Sequence, residues 1–354
     1  MSLLQEFPLL LLEFLLFLVI PGWCVLALIR RFRLLEHHSE SLRICLSMGV
    51  GPALLALFLY YLLLLLPSLA AGWYLLLLFV FPASLLFINR AYISPVAIPI
   101  PQILPVSWRW RRFSFNHFLF FSYLLFWLVF VLINPIADHD FFEYAIQGKI
   151  FARDRFISYS TLRFDASSDF AYVGLHGFSF PLLATAQDLL MHSLGLSSDA
   201  FFKSITGYYW MLLLCLVFFY LEPFSKAAAK LFLLMMVMTY GYYTGFFVYH
   251  IDTMRMFLIA ASTLAWLSLI QKHSIPGLYL FALLCASMAF VHSLGFFLAA
   301  IQIAGLVFFI RPFNTFSIKH WSIFVLIFLL GGPLHYLIDT LYGTGWIFKE
   351  IKYY

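Results

Sequence analysis

A chain of 354 residues would ordinarily be split among two or three soluble domains, but 64% of its residues are hydrophobic and only 10% are charged. Its mean hydropathy is +0.96. Soluble domains carry about 25% charged residues, so this chain lacks the polar groups to coat a globule, and it is too hydrophobic to be disordered. The net charge of +5 comes with no basic tail or basic-aromatic ribbon, so nucleic acid is not an expected partner. A polytopic membrane protein is the class that remains, with membrane lipid as its first partner.

A helix crosses the hydrocarbon core with about 20 apolar residues. Runs at 8–29, 45–66, 69–88 and 117–134 predict four spans. MSLLQEF has no Lys or Arg ahead of the first run, which therefore reads as a retained span and not a cleaved signal. A polar segment over 135–202 follows. Beyond it, runs at 203–221, 229–248, 253–270, 276–292, 294–310 and 321–338 predict six more spans. The runs are continuous and Leu-rich, without the alternation of barrel strands.

The expected fold is thus an all-α polytopic membrane protein, a single domain of about ten transmembrane helices. Its parts are four N-terminal spans (1–134), one long external loop with amphipathic juxtamembrane helices (135–202) and six further spans (203–354). The segment 180–194 is short and carries Gln187, Asp188 and His192, so it reads as interfacial or re-entrant. Cys24, Cys45, Cys215 and Cys285 fall in or beside apolar runs with no CxxC pair, which argues against disulfides and zinc knuckles.

Basic residues favour short cytoplasmic loops. With the N-terminus outside, 13 of the 21 Lys and Arg fall inside, whereas twelve of the sixteen acids fall outside. Counting 180–194 as a span would invert everything after it and place Lys226, Lys230, Lys272, Arg311 and Lys319 on the wrong side. The 135–202 loop is therefore external. Arg30 to Arg33 and Arg109 to Arg112 read as stop-transfer anchors touching anionic lipid, and the His37–His38 pair as a solvated loop.

The external loop opens with NPIADHDFFEYAIQGKIFARDRF. Phe142, Ala145, Ile146 and Ile150 form one stripe of an amphipathic helix, and Asp140, Glu143, Gln147 and Asp154 the other. Such a helix would lie along the membrane surface with Asp138 and Asp140 against the bilayer. Asp140 with Glu143 also fits a capping box. Asp138 and Asp140 repel each other unless a cation lies between them or one keeps its proton. They would then serve as ligands of a divalent cation, Mg or Mn, or as a general base. No other cofactor is implied.

The same face is predicted to hold His176, His250, Asp252, Arg255, His292, His335 and Asp339. Asp252 stands out because it interrupts an apolar hairpin with no turn glycine beside it. Charges in the middle of the spans are almost absent, which counts against a proton-driven pump.

A span ending in ADHDFFEY (137–144), followed by an amphipathic helix and a stretch bearing glycine and proline, resembles the GT-C superfamily of membrane glycosyltransferases. Within it the chain looks like the branch that uses polyprenyl-phosphate sugars, which includes protein O-mannosyltransferases and aminoarabinose transferases. GLHGFSFPLLATAQDLLMHSLG (174–195), FVYHIDTMRMF (247–257) and FVHSLGFFLA (290–299) are similar to later segments of that branch, so the likeness covers about 115–310. Family members place the acidic motif after the first span, whereas here it follows the fourth.

The resemblance implies transfer of a sugar from a polyprenyl-phosphate donor to a glycan, lipid or protein acceptor. The site would face the periplasm or exterior of a bacterial cytoplasmic membrane. By the resemblance, Asp138 or Asp140 is the base and Asp252 the second essential acid. Lys149, Arg153 or His176 steady the carrier phosphate, and Glu143, Tyr144, His250, Arg255 and His292 complete the substrate site. Two other readings keep the same substrate class: a transporter or flippase for lipid-linked saccharides, and a protein like the O-antigen polymerases and ligases. The latter usually carry their large loop late in the chain.

Overall fold

The computed structural model describes residues 3–93, 139–155, 157, 177–239, 252–310 and 315–342. It gives side chains at all of these but 3–5, 139–143, 237–239, 310, 339 and 342. Among the described residues the chain is helical, with no strand. Five helices are long and apolar enough to cross a membrane: Glu6–Arg31, Glu40–Leu65, Ala71–Ile88, Ala200–Leu221 and Asp252–Gln271. They match the runs at 8–29, 45–66, 69–88, 203–221 and 253–270. The run at 117–134 lies outside the described residues.

In chain order, α1 (Leu3–Phe14) passes through a π-helical turn at Leu15–Val19 into α2 (Ile20–Arg31). Then come α3 (Glu40–Leu65), α4 (Ala71–Ile88), α5 (His139–Asp154), α6 (Ser179–Ser193) and α7 (Ala200–Leu221). The remainder are α8 (Lys226–Thr239), α9 (Asp252–Gln271), α10 (Ile275–Val291), α11 (Ser293–Ile310), α12 (Ile318–Gly331) and α13 (Leu334–Tyr342).

Close helix packing in a membrane depends on small residues and satisfied polar groups, because lipid tails are as apolar as leucine. A side chain at Gly51 would strike the backbone of Pro21 and Gly22, so α2 and α3 cross nearly backbone to backbone. Pro52 has no N–H to offer the Met48 carbonyl one turn earlier. Tyr208 of α7 supplies the missing donor, its hydroxyl reaching Met48 O at 2.9 Å. The Tyr209 hydroxyl donates to the next carbonyl, Gly49 O, at 2.8 Å. The proline in α3 is thereby made good by the neighbouring helix.

Polar contacts mark two ends of the bundle. At one, Arg30 at the close of α2 pairs with Glu40 at the start of α3 and donates to Tyr92 O at 3.1 Å. Arg31 donates to Asn89 Oδ1 at 2.9 Å. His38 Nε2 lies 3.0 Å from Ser268 Oγ near the close of α9, and its ring meets Tyr220 at the close of α7. Arg30 and Arg31 thus knit three helices together and are not simple lipid anchors. His38 is half-buried, not a solvated loop residue. The difference arises because the 32–39 connection folds back over the ends of α7 and α9.

At the opposite end, α5 and α6 lie over the bundle. α6 enters beside Phe290 at the close of α10, where Phe178 N–H bonds Phe290 O at 3.0 Å. It leaves toward Asp199 and the start of α7. Both neighbours sit at the same end, so α6 does not cross, in keeping with its short length. It is buried by protein on nearly every side.

α5 departs from the surface helix expected of it. Its buried residues are Tyr144, Ala145, Gln147, Gly148, Phe151 and Ala152, while Lys149, Arg153 and Asp154 face out. Gln147, assigned to the polar stripe, is therefore buried, and the inward face is rotated from the one the hydrophobic pattern suggests. Gly148 decides the rotation. A side chain there would collide with Ala184 and Pro181 of α6, so α5 turns its glycine inward to close on its partner. Beyond α5, Arg155 takes a left-handed conformation with φ 55°. Its carbonyl accepts from Ser68 N–H at 3.0 Å and its guanidinium reaches Leu69 O at 3.2 Å, tying α5 to the α3–α4 turn.

Candidate functional site

The polar groups at the α5–α6 end come from four parts of the chain. α5 begins at His139, so Asp140 lies inside its first turn and not at its cap. Glu143 follows one turn on. Asp138, His176 and His250 lie outside the described residues, and the side chains of Asp140 and Glu143 do also. Tyr144 is buried in the α5 interface.

Lys149 reaches across to Asp199, just before α7, with Nζ 2.9 Å from Oδ1. Asp188 of α6 is half-buried beside this pair. Burial pushes its carboxyl above the usual carboxylate range, while nearby Lys149 pulls it down and Asp199 raises it further. Arg153 is spent on its neighbour: its Nε donates to Asp154 Oδ1 at 2.6 Å, and the bond holds Asp154 below its usual range. Both side chains are exposed, so little stability rests on this pair.

Asp252 opens α9 and pairs with Arg255 one turn later. A carboxylate at that position favours helix initiation through the dipole alone. α9 runs parallel to α7, since Tyr209 packs on Phe257 with ring centroids 5.7 Å apart and both helices close at the His38 end. The N-termini of α7 and α9 therefore share the α5–α6 end, and so do Asp252, Asp199 and Lys149.

His292 lies between α10 and α11. Its Nδ1 accepts from Leu294 N–H at 3.0 Å, which caps α11. That role explains the residue without chemistry, and it puts any ring proton of the neutral form on Nε2.

Three further polar groups lie at this end, of which the sequence pointed to Gln147 and His335 but not to Glu13. Glu13 of α1 is 0% exposed, and neither carboxylate oxygen has a hydrogen-bond partner among the described residues. Its polar neighbours are Gln187 and Asp199. Gln147 Oε1 is similarly buried and unpartnered. His335 is enclosed by Tyr60, Phe178, Phe290 and Tyr336, with Nδ1 at 2.5 Å from Gly332 O and Nε2 unpartnered. For Glu13 a signal existed in the chain: a lone acid inside an otherwise apolar run. The burial of Gln147 had no such signal, because it follows from the docking of α5 on α6.

No group of three or more His, Cys, Asp or Glu among the described residues is arranged to hold a metal ion. The Asp138 and Asp140 carboxylates stand outside that test. All four cysteines are free, as expected. No protein-family model, no curated protein and no solved structure matches this chain.

Proposed function

We propose that the chain is an integral-membrane glycosyltransferase of about ten spans, taking a sugar from a polyprenyl-phosphate donor on the non-cytoplasmic side. The observation that carries this reading is the gathering of α5, α6 and the Asp252 turn of α9 at one end of the bundle. A donor anchored by a polyprenyl tail is met from the bilayer, so its enzyme needs polar groups collected at one membrane edge. Alternation of the helices supports the span count. Tyr92 lies at the His38 end and α5 at the other, in keeping with a crossing by the run at 117–134.

The leaving group is already a phosphate, which reduces the protein's task to orientation, a base and charge stabilisation. In this reading Asp138 or Asp140 takes the proton of an acceptor hydroxyl. The hydroxyl oxygen bonds to the anomeric carbon as the bond from that carbon to the phosphate oxygen breaks, and polyprenyl phosphate departs. Lys149 pairs with Asp199 and Arg255 with Asp252, whereas Arg153 is diverted to Asp154.

The test is sugar transfer by the purified full chain in proteoliposomes supplied with a polyprenyl-phosphate sugar. Asp138→Asn or Asp140→Asn should lower the rate by about 100-fold or more, the usual contribution of a general base. Full activity in both variants overturns the assignment. Glu13 favours a second reading, a transporter or flippase for lipid-linked saccharides, because a buried acid inside an apolar helix suits ion-coupled movement. Saccharide movement across vesicles that survives both Asp→Asn changes would select it.

A further inference from the structure

Glu13 lies seven residues inside the apolar run Glu6–Arg31, about 10 Å along the helix from its start. It is 0% exposed, and both oxygens lack a hydrogen-bond partner among the described residues. An ionised carboxylate in that setting has lost its water and gained no donor, which is the costliest arrangement a carboxyl can take. The Gln187 amide beside it spends one N–H on Ser198 O at 2.7 Å and one lone pair of its oxygen on Phe202 N–H at 3.2 Å.

The surrounding charges do not relieve it. Asp199 adds negative charge from the α6–α7 connection, and it is taken by Lys149. Lys203 of α7 interacts with Glu6 and Asp199. On α3 the charged residues, Glu40 and Arg43, are held together at the opposite end of the helix. A metal cation would need several oxygen ligands, and one carboxylate beside a single amide does not provide them among the described residues.

We infer that Glu13 is a proton-binding site: its side chain is held as the neutral acid, buried beneath α6, and exchanges that proton with the α5–α6 end. Gln187 Oε1 spends one lone pair on Phe202 N–H, which leaves it a second acceptor position. The inference stands whichever reaction the chain performs, because it needs neither a sugar donor nor Asp138.

Two measurements on the full chain in detergent or nanodiscs test it. Infrared spectra near neutral pH should show the carbonyl band of a neutral carboxyl above the amide region, and Glu13→Gln should remove it. A hydrophobic carbodiimide, which attacks only protonated acids, should modify Glu13 in the unmutated chain. Its labelling should fall about tenfold per pH unit once the acid ionises. The peptide carrying Glu13 identifies the adduct by mass, so this arm needs no variant to fold. A neutral-carboxyl band that persists unchanged in a folded Glu13→Gln chain overturns the inference. So does carbodiimide labelling at Glu13 that is independent of pH.

Discussion

The hydroxyl of Thr185 shares its one proton between the backbone carbonyl of Gly148 at 3.1 Å and Pro181 O at 2.8 Å, joining α5 to α6 at the single glycine of α5. Both groups are buried, so the contact depends on an approach that any side chain at 148 would prevent. Gly148→Leu should destabilise the chain by about 1–3 kcal/mol, the usual cost of overpacking a filled interface. Thr185→Ala should cost about 1 kcal/mol. Thermal unfolding in detergent reads both. Proteolysis between α5 and α6 should accelerate in the first variant well before the bundle melts.

Lys149 and Asp199 join α5 to the start of α7, and both side chains are about half-exposed. A double-mutant cycle with Lys149→Ala and Asp199→Ala should return a coupling of about 0.2–1 kcal/mol that shrinks with added salt. A salt-insensitive coupling above that range would mean the pair is sealed from solvent.

At the other end, burial holds His38 below the usual histidine range, with His37 and Lys272 pushing the same way. His37 is lowered as well, chiefly by burial. A base with a depressed value in the folded state binds fewer protons than in the unfolded chain. Stability from this pair is therefore complete above the ordinary histidine pKa of about 6.5 and is lost as pH falls below it. Melting temperature should decline from neutral pH toward mildly acidic pH, and His38→Gln should flatten that slope. An unchanged slope would remove His38 as its source.

The alternation of helices can be read by labelling. Cys24, Cys45 and Cys285 are buried, so a membrane-impermeant maleimide has little native background once Cys215 is replaced. Ser197→Cys at the α5–α6 end and Arg33→Cys at the His38 end should react from opposite sides of a sealed vesicle. Reaction from one side at both positions contradicts the span order.

How much could be read in advance differs from helix to helix. The runs that became Glu40–Leu65 and Asp252–Gln271 were legible because a crossing helix must be apolar over its whole length, whatever it packs against. The modest burial of Ala71–Ile88 makes the same point: it needed no partner to be recognised. α5 is the opposite case. Its residues permit several inward faces, and the periodicity selected one led by Phe142 and Ile146, whereas Gly148 and Phe151 are what α6 receives. His292 carried no mark that its ring would cap α11, and the Arg30–Glu40 pair joins residues whose helices had first to be brought side by side.

Composition and the lengths of the apolar runs pointed to helices able to cross a bilayer, because backbone groups there must bond within their own segment and the side chains must be apolar. The order of residues determined where the acids concentrate along the chain. Only the packing of the helices decided which of those groups are sealed from water and which are paired. Burial is a property of neighbours distant in sequence. Glu13 is an isolated acid in the chain, and it becomes a buried one because α6, almost two hundred residues later, closes over it.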